Sequence, residues 1–386
     1  MNKRKLTALI CLITVLIQLS QIAYGEPLSG ITTGYNIQLR DEPVDGNIIK
    51  RLDHGTAVSI NETIEGRDGA EWYSVTIATL SVNGYIRSDF VHKGSIEPVE
   101  GFPDSYAPYL NAIHEAYPNF VFEAYNPAED MTFDECVDAE TPISVKSTVE
   151  IKEDAEASLD WSPAERSVVA SYMDPRNAML TASGDLHSSF FQFLSGTDPK
   201  ETSEEGVEEI LAGTSMEKKK IEDGETITSL VYDYSVKKGI NPYLIAARMR
   251  QEHGGKNGDD LINGVYKGYE GYYNYFNIGA NGDDAVKNGL ERAKKEGWDT
   301  RTKSIKAGID YLAEGYFFNK DHTQDTLYKQ RFFFKNKTYC HQYMTAIYAP
   351  FNEAKHVFRG YKGLDASSEG VFKIPVYKDM PETPAS

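Results

Sequence analysis

The chain has 386 residues, of which 40% are hydrophobic and 25% charged. This is globular composition, and the length suits two or three domains of about 100–200 residues each. A formal net charge of −18 excludes general nucleic-acid binding, because phosphates repel an acidic surface. Attachment to an anionic surface polymer would therefore need a specific binding module.

Residues 1–25 have the pattern of a secretory signal peptide. Residues 3–5 are basic, residues 6–17 are mostly apolar, and Ala23 and Gly25, two positions apart, offer small side chains for cleavage. The apolar run is shorter than the about 20 residues of a membrane span. We expect a secreted protein of the cell wall or the extracellular space, without a stable membrane span after cleavage. An uncleaved N-terminal anchor is the alternative.

The sequence gives no sign of a cofactor or metal site. It contains no phosphate-binding loop, no Gly-x-Ser-x-Gly turn and no His-Glu-x-x-His helix, and its eight histidines are scattered. Cys136 and Cys340 have no metal-ligand spacing and either form one disulfide or remain free thiols. We therefore expect neither a cofactor nor a bound metal.

Residues 31–93 alternate with the two-residue period of β-strands. Four short runs are rich in β-branched or aromatic residues: YNIQLRDEP, TAVSINETI, EWYSVTIA and NGYIRSDFV. Turn residues separate them. The pattern predicts a small, closed all-β barrel.

After this segment the apolar spacing becomes that of helices. Residues 103–119, 225–239 and 304–318 each carry an apolar face at helical intervals. Residues 264–282 are rich in Gly and Tyr, which predicts a hairpin or loop. The second part of the chain is therefore expected to be mainly α.

Two further segments have weaker patterns. Residues 126–160 are acidic and predict surface loops and short strands. The segment from residue 363 onward predicts a brief strand followed by a disordered end.

A short helix places one acid in a suggestive position. Asn241-Pro242 can begin this helix and Gly254-Gly255 can end it. Glu252 lies on its apolar side near the C-terminal end, where burial and the helix dipole oppose ionisation. A carboxyl group that stays protonated is what glycoside hydrolysis requires. The simpler alternative is a salt bridge with Arg248 or Arg250.

The Tyr-rich segment after this helix is suited to binding sugar. Flat rings stack on pyranose faces, and tyrosine hydroxyls make polar contacts. The candidate rings are those of Tyr266, Tyr269, Tyr272, Tyr273, Tyr275 and Phe276. Glu270 supplies a second carboxylate. Plain packing of a Tyr-rich hairpin is the alternative.

Several motifs in the same order resemble the catalytic core of glycoside hydrolase family 73 N-acetylglucosaminidases. They are AARMRQEHGG, GYEGYYNYFNIGA and HQYMTAI, with further matches between residues 100 and 360. Leu39-Arg40, Trp72-Tyr73-x-Val75 and Gly84-Tyr85-Ile86 resemble the bacterial SH3 (SH3b) module. Together they resemble secreted Gram-positive autolysins in which an SH3b module precedes the catalytic core.

The resemblance implies a multidomain chain, with a small all-β SH3-like barrel followed by a mainly α, lysozyme-like (α+β) catalytic domain. The predicted parts are a signal peptide (1–25), an SH3b domain (26–97), a glucosaminidase domain (98–362) and a C-terminal tail (363–386). The implied activity is an endo-β-N-acetylglucosaminidase type of glycoside hydrolysis. It would cleave the β-1,4 bond between N-acetylglucosamine and N-acetylmuramic acid in peptidoglycan.

Residue by residue, Glu252 matches the general acid of the family, and Tyr343 matches a tyrosine near the cleft. The expected substrate contacts are Tyr272, Tyr273, Asn274, Tyr275, Phe276 and Asn277. The chain departs from the family in this segment, since it reads Phe-Asn-Ile-Gly where Phe-Gly-Ile is commoner. Glu270 is the candidate base if water attacks directly, whereas attack by the 2-acetamido group of the sugar needs no protein base.

Other interpretations remain open at this stage. A lytic transglycosylase uses a similar glutamate and releases an anhydro-sugar, and a non-catalytic wall-binding protein needs no acid. The expected partners are peptidoglycan glycan strands, and wall peptide through the SH3b domain, for which a passive spacer is the alternative. Residues 174–177 are polar enough for a site, but bracing of a turn is the favoured interpretation.

Overall fold

The computed structural model describes residues 28–33, 36–53, 55–94, 98–147, 161–181, 183–254, 260–282 and 284–385. The predicted signal peptide lies outside these ranges. The chain forms two compact units, Met1–Ile96 and Glu97–Ser386. Among the described residues, no helix is both long and apolar enough to cross a bilayer.

The first unit is a seven-stranded sheet in which all pairs are antiparallel. Its strands are β1 (Leu28–Thr32), β2 (Ile37–Arg40), β3 (Ile48–Leu52), β4 (Ala57–Glu65), β5 (Glu71–Ile77), β6 (Val82–Arg87) and β7 (Val91–Lys93). They are ordered β3-β2-β6-β5-β4-β1-β7. The four predicted runs contain β2, β5 and most of β4 and β6, whereas β1 and β3 fall outside them and β7 shares only its first residue with the last run.

Alternation along the strands explains the core of this unit. On β5, Tyr73, Val75 and Ile77 point to the same side and are buried, as the two-residue period requires. The other buried members are Ile37, Leu39, Leu52, Val58, Ile60, Ile86 and Val91. One face of the sheet is therefore apolar and covered.

The second unit is mainly helical. Its helices are α1 (Ala107–Ala116), α2 (Phe133–Glu140), α3 (Arg166–Met173), α4 (Glu204–Leu211), α5 (Ile227–Lys238), α6 (Pro242–His253), α7 (Asp260–Asn263), α8 (Ala285–Glu296), α9 (Arg301–Leu312), α10 (Leu327–Arg331) and α11 (Ala349–Gly360). A π-helical turn, Ala313–Phe317, continues α9. The predicted helices within 103–119, 225–239, 241–255 and 304–318 are confirmed as α1, α5, α6 and α9.

Three two-stranded sheets complete the second unit. Their strands are β8 (Phe120–Tyr125), β9 (Val145–Ser147), β10 (Trp161–Pro163), β11 (Phe334–Lys335), β12 (Thr338–Tyr339) and β13 (Gly370–Pro375). Strand β13 pairs in parallel with β8, and the Tyr106 hydroxyl donates to the Pro375 carbonyl at 3.0 Å. The strand predicted after residue 363 is thus part of this unit.

The segment after β13 is held in place, so the predicted disordered end is wrong for the described residues. Asp174 and Arg176 form a fully buried ion pair at 2.6 Å. Arg176 donates to the carbonyls of Glu382 and Thr383, and Asp174 accepts the Ala385 N–H at 3.0 Å. The 174–177 turn therefore braces this segment, as the bracing interpretation requires.

The acidic segment 126–160 contains a helix that its composition hid. Thr132 and Glu135 form a reciprocal capping box that begins α2, and Cys136 and Val137 face the core. Strand β9 follows, and residues 148–160 lie outside the described ranges. Both Cys136 and Cys340 are free thiols, so the disulfide alternative is not seen.

Candidate active site

Helix α6 positions the candidate acid. The Asn241 side chain accepts the Tyr243 N–H at 2.9 Å, and Pro242 occupies the first helical position. The apolar side of the helix, including Ile245, is buried. Glu252 follows on that side in the last turn and is half-buried.

The surroundings of Glu252 favour its protonated form. Burial is the largest effect and raises the pKa of the carboxyl, with the charge of Glu353 acting in the same direction. Arg248, His253 and the hydrogen bond from Asn277 act in the opposite direction without reversing the shift. Glu252 therefore keeps its proton to a higher pH than an exposed glutamate does.

Asn277 contacts the acid directly. Its Nδ2 donates to Glu252 Oε2 at 2.6 Å. The backbone of Asn277 has φ +52°, a left-handed conformation that Gly adopts freely and that Asn tolerates better than most residues. This explains how the chain accommodates Asn in Phe-Asn-Ile-Gly at the place where Phe-Gly-Ile has Gly.

Tyr343 is fixed against the same turn. Its hydroxyl donates to the Phe276 carbonyl at 3.0 Å, and its ring lies 3.8 Å from the Arg248 guanidinium. Burial raises the pKa of the Tyr343 hydroxyl, so this group remains a neutral donor. The structure therefore brings Glu252, Asn277 and Tyr343 into one network.

The salt-bridge alternative for Glu252 is wrong, because both arginines bind elsewhere. Arg248 forms a buried ion pair with Glu353 and donates to Gln330 Oε1 at 2.8 Å. Arg250 donates to backbone carbonyls, that of Ile210 at 2.9 Å and that of Ala212 at 2.6 Å. The hydrogen-bond partner of the Glu252 carboxyl is thus Asn277 and neither arginine.

Glu353 is the member of this network that sequence reasoning missed. It lies on α11 between the buried residues Pro350 and Val357 and is itself buried. An acid at an apolar helical position was the available signal, since buried carboxylates are paired or hydrogen-bonded. Its partner is distant in the sequence, which no local pattern shows.

Four of the side chains expected to contact substrate are buried in the protein interior. Tyr273, Asn274, Tyr275 and Phe276 are each at most 9% exposed. The amide of Asn274 binds the Ile278 and Gly289 carbonyls, and the Arg301 guanidinium lies 4.4 Å from the Tyr273 ring. The expectation that these four side chains bind sugar is therefore corrected, because packing covers them.

The accessible rings of the segment lie earlier in the chain. Tyr266, Tyr269 and Tyr272 are half-buried, and the Lys294 ammonium lies 5.6 Å from the Tyr269 ring. Among the expected contacts, Tyr272 and Asn277 are the two with accessible surface.

Glu270 differs from Glu252 in its exposure and in the direction of its pKa shift. It is exposed, and its Oε2 accepts the Gly268 N–H at 3.1 Å. Backbone hydrogen bonds lower the pKa of the Glu270 carboxyl. Glu270 is thus ionised near neutral pH. Within the described ranges, no group of three or more His, Cys, Asp or Glu side chains is arranged to hold a metal ion.

Comparison with known proteins finds relatives of the kind that the catalytic motifs resemble. A β-N-acetylglucosaminidase of Bacillus subtilis is 27% identical over 225 residues, which are 58% of this chain and 24% of the relative. A bifunctional autolysin of Staphylococcus aureus is 29% identical over 197 residues, 49% of this chain and 15% of the relative. The chain thus spans about a quarter or less of these curated relatives.

Solved structures of similar proteins also come from S. aureus. Glucosaminidase B is 26% identical with a TM-score of 0.46, and the match covers 67% of this chain and 94% of that structure. Autolysin E is 22% identical with a TM-score of 0.45, covering 64% and 99%. No family model matches the chain.

The position of the Asn277 turn depends on the close packing of Phe276 on α9. A Cβ added at Gly308 would lie 1.9 Å from Phe276 Cδ2. We predict that Gly308→Ala lowers the free energy of unfolding by about 1–3 kcal/mol, measured by guanidinium unfolding.

The matched control for this substitution is Gly315→Ala. A Cβ at Gly315 meets nothing within 4 Å. This variant should be unchanged or more stable by up to about 1 kcal/mol. Equal destabilisation of the two variants would contradict the packing role of Gly308.

Proposed function

We propose that this chain is an exported peptidoglycan hydrolase of the endo-β-N-acetylglucosaminidase type, with Glu252 as its general acid. The observation that carries the proposal is the half-buried Glu252 carboxyl, bound by Asn277 at the end of α6, with a raised pKa. The names of the two curated relatives support the substrate class. We place the activity in the cell wall or the extracellular space.

The proposed reaction begins with proton transfer from Glu252 to the glycosidic oxygen that leaves C1 of N-acetylglucosamine. The C1–O bond breaks, and the oxygen of a water molecule forms the new bond to C1. The ionised Glu270 takes the proton of that water. In the alternative route the 2-acetamido oxygen of the sugar attacks C1 first, and water then opens the cyclic intermediate.

Tyr343 and Tyr272 have proposed roles in binding. The Tyr343 hydroxyl donates to Phe276, so its oxygen is free to accept a hydrogen bond from a sugar hydroxyl or from the attacking water. We propose that the half-buried Tyr272 contacts a sugar ring and that Asn277 provides a polar contact beside the acid. Tyr266 and Tyr269 extend this aromatic surface.

We also propose that the first unit is an SH3-like barrel that binds wall peptide, and that the second unit has a lysozyme-like fold. The proposed boundaries are 26–97 for the former and 98–362 for the latter. The tail, 363–386, contributes β13 to the second unit.

We predict that Glu252→Gln lowers the rate of peptidoglycan hydrolysis by about 10²–10⁴-fold, because the proton donor is lost. The measurement is the release of reducing ends from purified walls, with the circular dichroism of both proteins as a check on folding. Undiminished release would contradict the proposal. Anhydro-sugar products in mass spectrometry would identify a transglycosylase, and wall binding without lysis would favour a non-catalytic protein.

The base is tested by the pH dependence of Glu270→Gln. The pKa of Glu252 is raised and that of Glu270 is lowered. Wild-type activity should therefore fall at high pH, where Glu252 loses its proton, and at low pH, where Glu270 gains one. We predict that Glu270→Gln lowers the rate by about 10²-fold or more. We also predict that its activity no longer falls at low pH. If Glu270→Gln keeps the wild-type rate and the fall in activity at low pH, attack by the 2-acetamido group would be supported.

The role of the first unit is tested by deletion of residues 26–95. We predict that the shortened protein binds less to sedimented walls, because the binding module is gone. The measurement is the bound fraction at several protein concentrations, with Glu252→Gln as a full-length control that does not digest the wall. Equal binding of the two proteins would support the passive spacer.

A further inference from the structure

We propose that Glu353 is a positioning residue of the Glu252 site, which anchors Arg248 beneath Tyr343 and offsets the positive charge of Arg248 beside Glu252. The inference deepens the proposed function and rests on it for its catalytic meaning. The two other claims, that Glu353 anchors Arg248 and that it offsets the charge of Arg248, are argued from the contacts of Arg248.

Arg248 is held in a fixed orientation inside the protein. Glu353 accepts from both Nε and Nη2 of Arg248, the latter at 2.9 Å, and the two side chains are 1% and 2% exposed. Gln330 Oε1 accepts from Nη2 at 2.8 Å. A guanidinium bound in this two-pronged manner has its plane defined.

This plane supports Tyr343 and, through it, the turn that binds the acid. The Tyr343 ring stacks on Arg248. The backbone N–H of Tyr343 donates to the backbone carbonyl of Gln330 at 2.9 Å, and Gln330 also binds Arg248. The Tyr343 hydroxyl holds the Phe276 carbonyl, and the next residue, Asn277, donates to Glu252. A continuous path of contacts thus joins Glu353 to the acid.

The second part of the role is electrostatic. Arg248 lies one helical turn before Glu252, where an uncompensated cation would stabilise the carboxylate. Glu353 opposes this effect, since it lies against the same guanidinium. The other groups that act on Glu252 are His253 on α6 and Asn277, and both favour ionisation. Glu353 is therefore the anion that acts together with burial, the larger effect, to raise the pKa of Glu252.

Stability alone is a weak explanation for this ion pair. Taking two charges out of water costs much of what their attraction returns, and buried pairs can often be replaced by apolar residues without loss. The second unit contains another such pair, Asp174–Arg176, which binds the backbone of residues 382–385. The two pairs share burial and charge but differ in what they touch, so the second is a matched control.

The direct test is a carbon NMR titration of the Glu252 carboxyl in protein with labelled glutamate. The resonance that disappears in Glu252→Gln belongs to Glu252. We expect Glu353→Gln to lower its pKa by about 1 unit, because Arg248 becomes uncompensated. Asp174→Asn should leave the pKa of Glu252 unchanged although it also breaks a buried pair. An unchanged pKa in Glu353→Gln, or an equal shift in Asp174→Asn, would overturn the proposal.

The catalytic part is read from the pH–rate profile of wall hydrolysis. The alkaline limb of Glu353→Gln should move down by about 1 pH unit, with kcat falling more than KM rises. Activity that persists in Glu252→Gln would contradict the proposed function, whereas the NMR titration still decides the link between Glu353 and Glu252.

If Glu353→Gln does not fold, the double variant Arg248→Met with Glu353→Leu replaces both charges by apolar side chains. Its Glu252 pKa should equal or exceed the wild-type value, since the cation and its counter-ion are both gone. A lower pKa would overturn the proposal.

Discussion

A buried guanidinium needs a counter-charge and acceptors, and the partners of Arg248 Nε and Nη2 fix the geometry around this side chain, whereas Nη1 lies buried without a hydrogen-bond partner among the described residues. Glu353 from α11 and Gln330 from α10 meet the cation from α6, so three helices converge on one charged group. The flat face left open carries the Tyr343 ring. These polar contacts, together with apolar packing, set the orientation of α6 relative to the segment that carries Tyr343.

Two glutamates in the same unit show how environment divides chemical roles. Glu252 lies half-buried beneath a turn, and its pKa is raised, whereas Glu270 lies in solvent with backbone donors that lower its pKa. Separation of this kind is the usual condition for one carboxyl to donate a proton while another remains ionised.

Local patterns predicted the elements of this fold better than its contacts. The caps of α6 and the position of Glu252 followed from residue spacing, because helix geometry depends on near neighbours. Glu353 lies 105 residues from Arg248, so only the folded chain brings them together. The buried Tyr275 and the accessible Tyr272 look alike in sequence, since composition does not reveal which side of an irregular turn faces the core.

The parallel pairing of β8 with β13 has a consequence for how the second unit acquires its structure. Phe120 pairs with Gly370, so almost the whole of that unit must be synthesised before this ladder can close. Pairings between such distant residues carry a high loop-closure entropy and form slowly. A nascent chain of this protein therefore remains incompletely folded until late in synthesis, because the strand that completes this pairing is among the last parts of the unit to be made.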